Sequence, residues 1–238
     1  MRKLICALTI VYACMIAFGC GVTGSSSKFA FTSGYYRSKL TGKAVKKYYV
    51  VAEEDSIMVY PPNISTRIAD TTKSITVLFP SNKGPVDFAK RTFKSNDFDL
   101  DVITILFKYR LPVHDFPNQL NTNFNGALYA GYRTDSYTLS YKNTPLHISK
   151  RKVVHFGYSV GGFAGVGTAR IDEYVTLNRI DYEYDGAVLT TGIATELDLN
   201  KINFVIVSGL DFLTDRNSHV WVNEHKIWIG LGLGINLN

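Results

Sequence analysis

From residue 97 onward, large apolar side chains recur at every second position. The closing stretch, KIWIGLGLGINLN (226–238), shows the pattern most plainly. Ile227, Ile229, Leu231, Leu233, Ile235 and Leu237 hold one parity, and Trp228, Gly230, Gly232, Gly234 and Asn236 hold the other. A period of two is the signature of a β-strand, whose successive side chains point to opposite faces. Five more long segments read the same way: 97–110, 123–133 continuing through 136–141, 153–167, 185–199 and 202–213. In 153–167, Val154, Phe156, Tyr158, Val160, Ala164 and Val166 alternate with His155, Gly157, Ser159, Gly161, Gly165 and Gly167. The earlier part of the chain predicts shorter strands at 29–36 and 74–80. A hairpin is predicted over 48–62, turning at Glu53-Glu54-Asp55. One weak helical turn is predicted at Val86–Arg91, and no repeat of fixed period is visible.

Alternation alone implies one apolar face. A soluble sandwich buries that face and sets Lys, Glu and Thr on the other. Here the second face is mostly glycine with a few Ser, Asn, Asp and Glu, including Glu196, Asp198 and Asp211. A strand glycine costs roughly 0.5–1 kcal/mol relative to Ala, so three in one strand need a compensating role. Close packing inside a narrow barrel supplies it. The reading therefore sets Ile227, Ile229, Leu231, Leu233, Ile235 and Leu237 toward lipid. Gly230, Gly232, Gly234, Glu196 and Asp211 then face the lumen. At about 3.3 Å per residue, strand 227–237 is about 36 Å long, enough to cross an apolar band of about 25 Å when tilted. Connections alternate in length. A tight turn at Leu199-Asn200-Lys201 contrasts with long polar loops at 168–184 and 214–226.

On the glycine-punctuated alternation of 153–167 and the final strand IWIGLGLGINLN, the second half of the chain resembles the bacterial outer-membrane β-barrel family. The resemblance implies an all-β fold, an antiparallel up-and-down β-barrel of about eight strands. It also implies membrane lipid and the outer-membrane assembly machinery as partners. Two features depart from the family pattern. The last residue is Asn238 rather than an aromatic, and six long strands are visible where a membrane barrel has at least eight. Either strands from 45–80 complete the barrel, or it does not cross the membrane.

The first 20 residues add a compartment. Arg2-Lys3 precede an apolar run from Leu4 to Phe18, which stops at Gly19-Cys20 before a Gly- and Ser-rich stretch. The run suits a signal peptide and is short for a spanning helix. It resembles a bacterial lipoprotein signal, which implies lipidation at Cys20, lipoprotein-processing machinery as a partner and the Gram-negative cell outer membrane as location. The chain divides accordingly into a signal peptide (1–20), a flexible tether (21–28), an N-terminal β-strand region (29–96) and a barrel domain (97–238). All three cysteines, Cys6, Cys14 and Cys20, lie in the leader. Its removal leaves no disulfide framework, cysteine nucleophile or cysteine zinc site. The formal net charge is +6, and two of those charges belong to the leader. The rest are scattered apart from Lys46-Lys47 and Lys150-Arg151-Lys152, so no basic stripe points to nucleic acid.

Candidate chemistry is thin. GYSVG (157–161) matches the G-x-S-x-G elbow of serine hydrolases, and Asp211 or Asp215 followed by His219 or His225 supplies the Asp-then-His order. An elbow needs a strand-to-helix turn, and Ser159 sits inside an alternating strand. GGFAGVG (161–167) lacks the order and following helix of a phosphate loop. His219 and His225, with Asp215 and Glu224, have the donor types for zinc but read as exposed loop residues. Trp221, Trp228, Tyr182 and Tyr184 fit either an interfacial aromatic girdle or ordinary cross-strand packing. The expectation is a non-enzymatic outer-membrane barrel, structural or binding through its long loops, with no cofactor or metal and an unknown ligand. The alternative is a lipid-anchored soluble β-domain facing the periplasm and binding a partner. A serine hydrolase at Ser159 is the remote alternative.

Overall fold

The computed structural model describes residues 30–40, 44–53, 57–63, 69–70, 72–73, 75–76, 90–113, 116–143, 145, 149–199 and 202–237. Cys20 with the rest of the leader and tether, the turn at 86–89, Asn200-Lys201 and Asn238 lie outside those residues, as do His114 and His147.

The described chain is all-β and antiparallel throughout. Its strands are β1 (Gly34–Ser38), β2 (Lys46–Ala52), β3 (Ile57–Tyr60), β4 (Ile75–Thr76), β5 (Arg91–Arg110), β6 (Gln119–Asn121), β7 (Asn125–Asn143), β8 (Ser149–Ile171), β9 (Tyr184–Leu199), β10 (Ile202–Leu213) and β11 (Ile227–Asn236). They form one sheet. Six of the strands close it into a ring in the order β5, β7, β8, β9, β10, β11, with β11 returning to pair with β5. The ring thus has six strands rather than about eight, and β2, β3 and β4 do not enter it. They extend from β1, which pairs with β5 only at Arg37↔Lys94 and Ser38↔Phe93. β5 runs unbroken across residues 96 and 97, and the N-terminal strands continue the same sheet from it.

The ring is strongly staggered. Following paired residues from Phe98 leads through Tyr132, Val160, Thr195, Ile206 and Leu231 back to β5 at Phe107. Nine residues of offset make about 30 Å along the strand, against a circumference of about 29 Å for six strands, so the tilt is on the order of 45°.

Such tight closure explains the glycines. Gly131 pairs with Gly161 across β7 and β8, and Gly192 pairs with Gly209 across β9 and β10. A Cβ at Gly161 would run into the carbonyl of Ala130, and one at Gly192 into that of Ser208. Where the sheet bends this sharply, neighbouring backbones approach on the concave side and leave no room for a side chain.

Two further packing units flank the ring. At the short-turn end, β5, β7 and β8 project beyond it beside β1, β2 and β3. Their shared inner face packs Tyr36, Tyr48, Val50, Ile57, Val59, Phe93, Tyr137 and Leu139. At the other end, the segments 111–113, 116–124, 172–183 and 214–226 cover the mouth. Phe116, Ile171, Val175, Val188, Leu213 and Trp221 form a small core there.

Candidate functional site

The inner parity of each ring strand places its side chains in stacked levels. At mid-height the interior is apolar and filled by Ile103, Ile105, Tyr129, Phe163, Val205, Val207 and Trp228. Gly230 and Gly232 lie beside this plug, and the Trp228 and Phe163 rings meet at 6.1 Å. An interior of a few strands is filled by side chains rather than left as a channel, and this one follows that rule.

Toward the short turns lies an acidic level. Arg133 Nε donates to both oxygens of Asp135 at 2.8 Å, and its Nη2 meets Asp198 at 2.7 Å. His155 Nε2 lies 2.6 Å from Asp135 Oδ1. Asn203 Nδ2 donates to Asp101 at 2.9 Å and to Glu196 at 2.8 Å. Asp99, Asp101 and Glu196 bring carboxyl oxygens within 4.8 Å of one another. Ser159 shares a 2.6 Å hydrogen bond with Tyr129 Oη. Beside this level, the divergence of β1 from β5 opens a cleft of about 860 Å³, lined by Arg37, Lys94, Asp97, Asp99, Arg133 and Asp135 among others.

Toward the long loops lies a cationic level. Lys108 Nζ donates to Asp211 Oδ1 at 2.8 Å, and Arg110 Nη2 donates to its other oxygen. Lys108 stands 4.3 Å from the Trp228 ring and Arg110 5.1 Å from the Trp221 ring. These cations reach the interior through a bulge. Pairing with β11 runs Leu231↔Phe107 and then Gly232↔Ile105, so Leu106 is extra. Leu106 and Phe107 are both exposed, and the inward parity shifts from Ile103 and Ile105 to Lys108 and Arg110. An extra residue of this kind reverses which side every later side chain faces.

Ile227, Ile229, Leu231, Leu233, Ile235 and Leu237 are all exposed on the outer face; Ile235 reaches 66%. Gly230 and Gly232 are buried on the inner face, Gly234 partly so, and Glu196 and Asp211 are fully buried. Trp228 is also fully buried and Trp221 nearly so, which removes both from any outward girdle. Tyr182 and Tyr184 stack at 5.8 Å at the loop mouth, and Asn217 Nδ2 donates to both hydroxyls. The bond from Asn217, and then that from Arg216, hold the Tyr182 hydroxyl below the ordinary phenol range.

Ser159 stands mid-strand in β8, with strand continuing to Ile171, so the G-x-S-x-G match does not form an elbow. His219 Nδ1 lies 2.7 Å from the Arg216 carbonyl oxygen, and His225 lies 3.1 Å from Glu224 and against Phe212. Among the described residues these histidines do not join Asp215 and Glu224 in a metal-sized group.

Lys108, Arg110, Arg133 and Asp99 escaped the reading of the sequence as interior residues. For the first two, the one available signal was the run Ile105-Leu106-Phe107, which breaks strict alternation.

The fold and interior define an antiparallel all-β ring, filled at mid-height and lined by buried charge at both ends. No family model matches the chain, and neither a curated protein nor a solved structure does.

Proposed function

We propose that the chain is a non-enzymatic outer-membrane β-barrel protein of the Gram-negative cell envelope, lipid-anchored at Cys20. It works structurally or by binding through its long loops. One observation carries this reading: the outer face of the ring is apolar and uncharged, while the charged side chains of its strands lie inside. Its outer face bears no charged side chain from Phe98 to Tyr109 on β5, Gly126 to Thr134 on β7, Val154 to Thr168 on β8 or Ala187 to Leu199 on β9. The same holds for Ile202 to Phe212 on β10 and Ile227 to Leu237 on β11. Its interior holds Lys108, Arg110, Arg133, Asp99, Asp101, Glu196, Asp198 and Asp211, each at most 5% exposed. The apolar residues of β11 alone, at about 1.5–3 kcal/mol per fully transferred side chain, leave on the order of 5–10 kcal/mol unrealised in water. Ten residues of β11 at the tilt derived above rise about 23 Å, close to the band of about 25 Å that such barrels present to lipid.

A second reading, a lipid-anchored soluble domain facing the periplasm, is favoured by the strand count. Six strands fall short of the eight of the smallest outer-membrane barrels. One experiment separates the two. Residues 28–238, expressed without the leader, are expected to require detergent and to migrate differently on gels before and after boiling. A monodisperse product without detergent overturns the membrane reading.

A further inference from the structure

The loop-side mouth holds a small cavity that the proposed role does not use. It lies between the ends of β5 and β8, the strand β6, the start of β7 and the segment carrying Trp221 and Asn223. Lys108 and Arg110 form its buried cationic wall, Arg170, exposed and paired with Asp172 and Glu183, stands at its edge, and carboxamides form much of the rest. The stretch QLNTNFN (119–125) places Gln119, Asn121, Asn123 and Asn125 on one parity, and all four line the cavity. Leu120 and Phe124, on the other parity, are exposed outward. Crosslinks hold this wall in place: Asn223 Nδ2 donates to Gln119 at 3.1 Å, Asn123 Nδ2 to the Thr168 carbonyl at 3.2 Å and Asn125 Nδ2 to the Asn123 carbonyl at 2.7 Å.

Three observations converge on an anion. First, the charges do not balance: two buried cations face one buried carboxylate, Asp211. An uncompensated charge held away from water is costly and attracts a counter-ion. Second, Arg110 is 5% exposed, yet its Nη1 has no hydrogen-bond partner; Nη2 alone is taken by Asp211. Third, the Asn121 carboxamide is held by no partner at its Oδ1, and a half-turn of the amide sets its N–H edge toward the cavity in place of that oxygen. The space open to the centre of a water molecule is about 20 Å³, where one water needs about 10–15 Å³. A single small occupant fits, and a bulky organic anion does not.

We infer that this cavity is a binding site for one small inorganic anion of halide size, held by Arg110 with Lys108 and the Asn121 amide. The inference stands whether or not the ring lies in a bilayer. Both tryptophans of the chain, Trp221 and Trp228, stand over the two cations, so intrinsic emission reports on the site directly. The test titrates sodium bromide into the full chain, folded in detergent, against sodium gluconate at constant ionic strength. Bromide quenches by contact. The expected result is a saturable quench that chloride reverses, lost in Arg110→Gln. Asn121→Asp, which supplies a resident carboxylate beside Arg110, is expected to lose it as well, and it decides the matter if Arg110→Gln fails to fold. A quench linear in bromide and unrelieved by chloride, or one that stays saturable in a folded variant, overturns the site.

Discussion

At the residue scale, the interior is governed by what each inward position has room for. Gly161 and Gly162 are neighbours on β8 with opposite fates. Gly161 points inward, where an added Cβ meets the Ala130 carbonyl; Gly162 points outward, with only the Gly192 carbonyl oxygen at 3.6 Å. Gly161→Val is therefore expected to abolish folding, and Gly162→Ala to stay within about 0.5 kcal/mol of the parent in denaturant unfolding. Asp211 is the second sensitive position. It is the common partner of Lys108 and Arg110, and it is fully buried. Asp211→Asn leaves two cations opposed by no carboxylate at that level. Unfolding titrations should show a loss of about 3–5 kcal/mol, the usual cost of breaking a buried pair from one side. A loss under about 1 kcal/mol, the range of exposed pairs, would show that solvent reaches that level.

At the element scale, the bulge on β5 decides the character of one end of the molecule. Without Leu106, Lys108 and Arg110 would join the outer face, and Phe107 and Tyr109 would turn inward. Deleting Leu106 is therefore expected to leave a chain that cannot close β5 against β11, read as loss of heat-modifiable migration and of the strand signal in circular dichroism. The alternating strands themselves were legible. β10 spans Ile202–Leu213 as the period predicts, and β8 keeps every inward and outward assignment of 153–167. What was not legible lay where local patterns are ambiguous. The run Ile105-Leu106-Phe107 fits either parity until β11 is set beside it. The three-residue β6 exists only as a partner of β5, with too few residues to carry a period of its own. Trp228 shares the parity of Gly230 and so was legible as inward, whereas Trp221 lies in a loop, has no strand parity, and was placed only by the packing of the mouth.

At the scale of the whole molecule, the proposal rests on how apolar surface and charge are partitioned. Ile193 sits mid-way along β9, on the outer face and 69% exposed. If that face meets hydrocarbon, Ile193→Arg costs about 2–4 kcal/mol, the range for a cation at the bilayer midplane. If it meets water, the substitution changes stability by no more than about 0.5 kcal/mol. Refolding into vesicles at increasing denaturant distinguishes the two. Ring closure joins β5 to β11 over more than a hundred residues of sequence, and the N-terminal strands lie outside it, as a sheet continuing from β5.

The sequence by itself determined the alternation, the small-residue inner face, the uncharged outer face and the contrast between short turns and long loops. All of these follow from a period of two, which each strand carries alone. Tertiary structure decided the number of strands in the ring, the reversal of parity at Leu106, the partners of Asp211 and the burial of Trp221 among the loops. These depend on which strand lies beside which, and on how sharply six strands must bend to meet, and no single strand's pattern encodes either.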